Sequence, residues 1–218
     1  MSNFKKSYEL LKKWENRQTK NGLIVYSNIK QDSGGETVLG VARNKNPNLQ
    51  FWKDVDEIKK EVGTKDLILL SKKILENKKI CDEIETLYKN EYWNKAKCNI
   101  ILNDDFASNL FLLCVNAGVK RGIKTGQEAC NLEADGIIGN LTRKAWMTAS
   151  KNEVKKFTEI EIKYYISLVY DKNEINKIMK DERLYNNIDS LLSDKKYIIK
   201  NINYTKFLKG WINRANAI

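Results

Sequence analysis

The chain has 218 residues, 42% of them hydrophobic and 10% aromatic, which is enough to form a core in one large or two small domains. The formal net charge of +11 favours acidic partners such as nucleic acid, anionic lipid or the bacterial cell wall, although lysines spread along a chain are as typical of a compositional bias. The chain has no histidine, which excludes Ser-His and Cys-His nucleophile pairs and zinc sites with histidine ligands. Proton transfer must therefore rest on carboxylates, lysines, tyrosines or thiols.

The sequence has no apolar run long enough to span a membrane, and its lysine-containing start lacks the apolar block of a signal peptide. The cysteines Cys81, Cys98, Cys114 and Cys130 form no CxxC pair, so we expect free thiols in a reducing compartment and no disulfide framework. These features predict a protein made in the cytoplasm.

The apolar pattern is helical along most of the chain. Phe4, Tyr8, Leu11 and Trp14 recur at helical spacing, and Asn140 is placed to cap a later helix. Similar helical faces are predicted in the stretches 67–75, 80–92, 106–114, 140–146 and 157–169. A turn near 101–104 predicts a boundary between a domain over residues 1–102 and one over 103–218, and 171–200 is expected to be a helical insertion.

Only residues 22–42 break the helical rhythm. Val25-Tyr26 and the stretch 38–42 predict a small β-hairpin around a polar turn at 32–35. The residues between Asn16 and Gly22 are expected to form a loop. The fold class predicted from the pattern is therefore mainly helical with one small β-hairpin.

A carboxylate at the end of the first helix, followed by a polar glycine-broken segment, is typical of a glycoside hydrolase. We predict Glu15 as general acid, Asp32 as an ionised second carboxylate and Thr37 as the group that holds the attacking water. Gly34 and Gly35 allow close approach of a sugar. The alternatives are an ordinary helix-end glutamate, an Asx-turn aspartate and a strand threonine.

Further residues of the hairpin are candidates for the site. Tyr26 and Asn28 are predicted to contact substrate, although a core role for Tyr26 is nearly as compatible with the pattern. Glu36 is a rival acid, but strand alternation points it away from a cleft that Thr37 faces.

Several motifs occur in an order that resembles a known family. In the first half they are Tyr26, Asn28, Asp32, Gly34-Gly35, Thr37, Gly40-Val41, Arg43, Pro47, Trp52 and Tyr92-Trp93. In the second half they are Phe111, Val115, Asn116, Gly118, Gln127, the turn 135–142 and the closing stretch 207–214. The chain resembles the glycoside hydrolase family 108 lysozymes, N-acetylmuramidases often called secretion activator proteins.

The resemblance implies a lysozyme-like α+β fold followed by a helical peptidoglycan-binding-like domain. It implies an inverting muramidase that cleaves the β-1,4 bond between N-acetylmuramic acid and N-acetylglucosamine and needs no metal or organic cofactor. The expected partner is bacterial peptidoglycan, with no nucleic acid, no membrane span and a monomeric state. The resemblance then implies action in the periplasm or cell wall after release by a holin, a secretion machine or lysis, as for a phage endolysin. The alternatives are a catalytically inactive lysozyme-fold protein, binding the cell wall or serving a phage or secretion structure, and a basic nucleic-acid binder.

The family's catalytic glutamate can be aligned in two ways. A gapless count from Tyr26 and Asp32 places it on Leu23, which cannot donate a proton. An alignment on Trp14-Glu15 requires about eight extra residues after the helix, which a loop absorbs at low cost. We prefer the second alignment, while the first implies an inactive or repurposed fold.

Overall fold

The computed structural model describes residues 3–29, 34–181, 183, 187–194 and 196–216. The chain divides into two compact units, Phe4–Asn94 and a second that begins at Lys95 and includes Asn3. Helices dominate the described residues, with small antiparallel sheets in the first unit, which confirms the predicted mainly helical α+β class. The domain boundary expected after residue 102 stays a prediction.

The first unit contains four α-helices and two small sheets within its described residues. Its helices are α1 (Phe4–Glu15), α2 (Phe51–Val62), α3 (Leu67–Glu76) and α4 (Lys78–Tyr88), and its strands are β1 (Arg17–Thr19), β2 (Gly22–Ile24), β3 (Tyr26–Asn28), β4 (Glu36–Val38) and β5 (Val41–Ala42). A 3-10 turn at Arg43–Lys45 follows β5, and a π-helical turn at Lys89–Asn94 follows α4. The Asp66 and Asn77 side chains accept backbone N–H bonds and begin α3 and α4.

The sheets correct one prediction. The stretch from Asn16 to Gly22 was expected to be a loop, but residues 17–24 form the antiparallel β1–β2 hairpin, in which Gln18 pairs with Leu23. Strands β3, β4 and β5 form the second sheet in that order, with Thr37 between Ser27 and Ala42. Leu39 and Gly40 join β4 to β5, and both have positive φ, as a two-residue hairpin turn of primed type requires.

The core of the first unit lies between the sheets and the helices. The buried apolar side chains there include Tyr8, Leu11, Val25, Val38, Val41, Phe51, Trp52, Val55, Leu70, Ile74, Ile80, Ile84 and Tyr88. The backbone N–H of Val25 donates to the buried Ser71 hydroxyl at 3.0 Å, which ties the sheet region to α3. Tyr8 of α1 packs against Tyr88 of α4, with ring centroids 5.8 Å apart, which ties α1 into this core.

Helices are the main regular elements in the described part of the second unit, which also has an isolated antiparallel bridge between Tyr170 and Ile199. It contains α5 (Asp104–Ala117), α6 (Val119–Ala129), α7 (Asn140–Met147), α8 (Lys151–Val169), α9 (Lys172–Met179), α10 (Ile188–Ser193) and α11 (Ile202–Ala215), with a 3-10 turn at Cys98–Ile100. Helix α5 is buried along most of its length and packs on α6 and α8. The expected cap at Asn140 is wrong: Gly139 precedes α7 without a side-chain cap, and Asn140 is its first residue.

The segment expected to be an insertion, 171–200, contains α9 and α10 in its described part. No helix among the described residues has the length and apolarity needed to cross a bilayer. All four cysteines are free thiols, with Cys98 and Cys114 buried.

Candidate active site

Glu15 is the last residue of α1 and is half-buried. Its carboxylate Oε2 lies 2.9 Å from the position that a Cβ on Gly40 would occupy, and its Cγ lies 3.1 Å from the same point. The side chain therefore turns onto the β4–β5 turn, against backbone that only glycine leaves open at a φ of +82°. The acid candidate and the strand that carries Thr37 belong to one cluster of the first unit.

Tyr88 completes this contact, and sequence reasoning did not single it out. Its buried hydroxyl donates to the Leu39 carbonyl oxygen at 3.1 Å and lies 2.6 Å from the point above Gly40. Since the Glu15 and Tyr88 oxygens both lie within 2.9 Å of one point, they are less than about 6 Å apart. Tyr88 lies 49 residues after Leu39, so no local sequence pattern predicts this contact.

Thr37 lies in the middle of β4, three residues before Gly40, and is half-buried. Its hydroxyl donates to the Gly35 carbonyl oxygen at 3.3 Å, and both oxygen lone pairs can still accept a hydrogen bond from water. Gly35 has a φ of +66°, and the Asn44 amide packs against it. The buried Gly34 carbonyl oxygen accepts the Asn44 N–H at 3.2 Å, so the diglycine is partly covered by the 3-10 turn.

The remaining predicted site residues have different surroundings. Asp32 lies outside the described residues, and its role stays a prediction. Tyr26 is 3% exposed, which leaves little ring surface for a sugar; burial and a hydrogen bond with Glu36 raise its pKa. Asn28 is exposed at the end of β3, opposite Glu36 in the sheet.

A network of ion pairs lies beneath β4. The buried carboxylate of Glu36 pairs with Arg43 at 2.5 Å and with Lys59 at 2.6 Å, and Asp56 binds the same two cations. The hydrogen bond from Arg43 is the largest influence on Asp56 and lowers the pKa of that carboxyl to about 2. Arg43 also stacks over the Trp52 ring, with its guanidinium carbon 4.8 Å from the ring centroid. The network anchors β4 to α2.

The turn 135–142 of the second unit is built around a buried glutamine. Gln127 Nε2 donates to Asp135 Oδ1 at 2.7 Å and to the Ile137 carbonyl oxygen at 3.0 Å. Its Oε1 accepts the Gly136 N–H at 2.8 Å, so the amide is satisfied by the turn itself. This agrees with a structural role for the motif, and peptidoglycan binding by the second unit stays a prediction.

The fold is mainly helical with small antiparallel sheets, and it belongs to the lysozyme-like α+β class. Residues 14–118 match the family model described as glycosyl hydrolase 108. This segment is just under half of the chain, and its similarity to glycosyl hydrolase family 108 supports a lysozyme-like peptidoglycan hydrolase at the level of the family.

The chain is similar in fold to a solved structure described as that of Brucella abortus SagA. It is 16% identical over 98% of this chain and 94% of that chain, with a TM-score of 0.50. The likeness extends the shared fold over nearly the full length of both proteins. No protein in the curated set matches the chain significantly.

Proposed function

We propose that this protein is a muramidase in which Glu15 is the general acid. The observation that carries the proposal is the contact of the Glu15 carboxylate with Gly40, in the turn that follows Thr37. Glu15, Asp32 and Thr37 all fall within the family match over residues 14–118. The bond cleaved is the β-1,4 linkage between N-acetylmuramic acid and N-acetylglucosamine.

The reaction needs a proton at the leaving oxygen and a water on the opposite face of the sugar. Glu15 supplies the proton, since it is half-buried at a rigid helix end and turned onto the sheet. Thr37 binds the attacking water through its free lone pairs, and Asp32 stabilises the positive charge that develops on the sugar ring. Attack by a water held between Glu15 and the sheet would invert the configuration at the anomeric carbon. In inverting glycosidases the two catalytic carboxyl groups are typically about 6.5–9.5 Å apart.

Glu36 is the competing acid, and its contacts argue against that role. Both of its carboxylate oxygens are bound by cations, Oε2 by Arg43 and Oε1 by Lys59. A proton donor in that position would have to break two ion pairs in a site that is only 8% exposed. Glu36 therefore supports the strand rather than the reaction.

We also propose that the protein acts at the cell wall after release by a holin, a secretion machine or lysis, as a phage endolysin or a phage-derived lysin does. No helix among the described residues is long and apolar enough to span a membrane. The net charge of +11 favours association with the acidic wall.

The test is turbidity loss of purified peptidoglycan with the wild type and with Glu15→Gln. We expect the wild type to clear the suspension and Glu15→Gln to lose about 10²–10⁴-fold in rate, as removal of a general acid does. Absence of clearing by the wild type favours the inactive wall-binding alternative. Equal clearing by both proteins removes Glu15 from the mechanism.

A further inference from the structure

A groove of about 370 Å³ opens beside the end of α1. One wall is formed by the last turns of the helix, with Lys12 and Lys13, and the other by Gln18 and Leu23 of the β1–β2 hairpin. This hairpin occupies the stretch in which the alignment on Glu15 expects residues beyond the family pattern.

The groove is positively charged. Lys12 binds Glu9 at 2.7 Å, whereas Lys13 is exposed and forms no ion pair within the described part of the chain. Two ammonium groups against one carboxylate leave an excess of positive charge. A ligand with a carboxylate is favoured over a neutral one.

Asn16 supplies a second recognition group. Its side-chain Oδ1 is buried and finds no hydrogen-bond partner among the described residues, although Asn16 lines the groove. An unsatisfied buried acceptor costs free energy until a donor reaches it. Rotation of the Asn16 side chain toward the groove would let a peptide N–H satisfy it, while the lysines offer a cation to a carboxylate directly.

The groove is also adjacent to the proposed acid. Asn16 follows Glu15 in the chain, so their Cα atoms are about 3.8 Å apart. A glycan strand cleaved at Glu15 therefore places the substituents of its nearest sugars within reach of the groove. In peptidoglycan the acidic substituent is the stem peptide, which carries both carboxylates and backbone N–H groups.

We propose that this groove binds the acidic stem peptide of the strand being cleaved and makes the protein selective for peptide-bearing glycan. The inference rests on the proposed function for its substrate. The direct test is equilibrium binding of a soluble disaccharide-peptide fragment to the Glu15→Gln protein, which cannot consume it. The comparison ligand is the same fragment with its carboxyl groups amidated.

We expect amidation to weaken binding about five- to tenfold, and the double substitution Lys12→Gln/Lys13→Gln to weaken binding of the acidic fragment to a similar degree. Lys60→Gln, at an exposed position on α2, is the matched control and leaves binding unchanged. Equal affinity for both fragments, or an equal effect of Lys60→Gln, overturns the proposal. Should the double variant unfold, Lys13→Glu at its exposed position provides the same comparison.

A second arm separates this proposal from the proposed function. With the otherwise wild-type enzyme, Lys12→Gln/Lys13→Gln should raise KM for peptide-bearing glycan about five- to tenfold more than KM for glycan stripped of its peptides. Hydrolysis with identical KM changes on both glycans overturns the groove and leaves the muramidase in place. Carboxylate-dependent binding without any hydrolysis supports the groove and overturns the muramidase.

Discussion

The carboxylate of Glu15 lies 2.9 Å from the position at which a Cβ on Gly40 would stand, and the Tyr88 hydroxyl lies 2.6 Å from the same position. Gly40 thus serves two needs at once. Its φ of +82° closes the β4–β5 turn, and its missing side chain admits the acid from α1 and the hydroxyl from α4. The end of α1 can approach the β4–β5 hairpin this closely because position 40 has no side chain.

Gly40→Ala should reduce hydrolysis far more than it reduces stability. The methyl group would displace the Glu15 carboxylate, and a displacement of about 1 Å can cost on the order of 10²-fold in rate. Strain at positive φ should lower the free energy of unfolding by about 1–2 kcal/mol. The measurements are the peptidoglycan clearing rate and the thermal midpoint.

Gly63→Ala is the matched control for that substitution. Gly63 has a similar φ of +73° at the end of α2, but nothing lies within 4 Å of a Cβ placed there. Gly63→Ala should therefore lower the free energy of unfolding through backbone strain but leave the clearing rate unchanged. Similar activity in the two variants would disconnect the Gly40 contact from catalysis.

Tyr88→Phe should weaken the same cluster. The substitution leaves the buried Leu39 carbonyl oxygen without its 3.1 Å hydrogen bond. The free energy of unfolding should fall by about 1–2 kcal/mol, and the clearing rate should fall with it because the turn beneath Glu15 loosens. Denaturant unfolding with a parallel activity assay measures both, and an unchanged rate would show that Tyr88 supports the fold alone.

Glu36→Gln should be strongly destabilising because it leaves Arg43 and Lys59 half-buried with an incomplete counter-charge. We expect a loss of about 2–4 kcal/mol in the free energy of unfolding. Glu57→Gln is the control, since Glu57 is exposed on α2 without an ion pair in the described part of the chain. A Glu36 variant that keeps full stability but loses all activity would revive Glu36 as the acid.

Glu161 gives the second unit a pH-dependent stability. Burial raises the pKa of this carboxyl from its ordinary 4.5 to about 8, outweighing the lowering by neighbouring Tyr165 and Arg214. Below about pH 4.5 the Glu161 carboxyl is protonated in both the folded and the unfolded chain. As the pH rises from there to about 8, the unfolded chain loses this proton while the folded chain keeps it, so the folded state becomes progressively less stable. The free energy of unfolding should therefore fall between about pH 4.5 and 8, by at most about 1.4 kcal/mol per pH unit.

Glu161→Gln is the variant that assigns this slope. Its neutral amide has no proton to lose, so its stability curve should be flatter over the same pH range. Denaturant unfolding at several pH values measures both curves. Parallel curves for the two proteins would assign the pH dependence to other groups.

The spacing of apolar residues predicted α1, α3, α4, α5, α7 and α8, whose buried faces recur at helical intervals, but it identified neither α2, α6 nor α11. The β1–β2 hairpin was missed although its signal was present. The two-residue turn is Lys20-Asn21, since Thr19 pairs with Gly22, and an Asn-Gly dipeptide at such a place is a known hairpin signal. The polar composition of the stretch outweighed that signal.

The candidate site was predictable only in part. The end of a helix and a diglycine hairpin point to Glu15 and Thr37 from local sequence alone. The contacts that orient them are long-range: Tyr88 reaches Leu39 across 49 residues, and Lys59 reaches Glu36 across 23. Such pairings depend on how the helices pack, which periodicity within each helix does not specify.

If Glu15 donates the proton to the leaving sugar, its removal should matter most for a leaving group that needs protonation. The measurement is the rate of Glu15→Gln relative to wild type on peptidoglycan glycan and on an activated aryl glycoside whose phenolate departs without protonation. We expect Glu15→Gln to lose about 10²–10⁴-fold in rate on the glycan and much less in rate on the activated substrate. An equal loss on both substrates would contradict this role of Glu15.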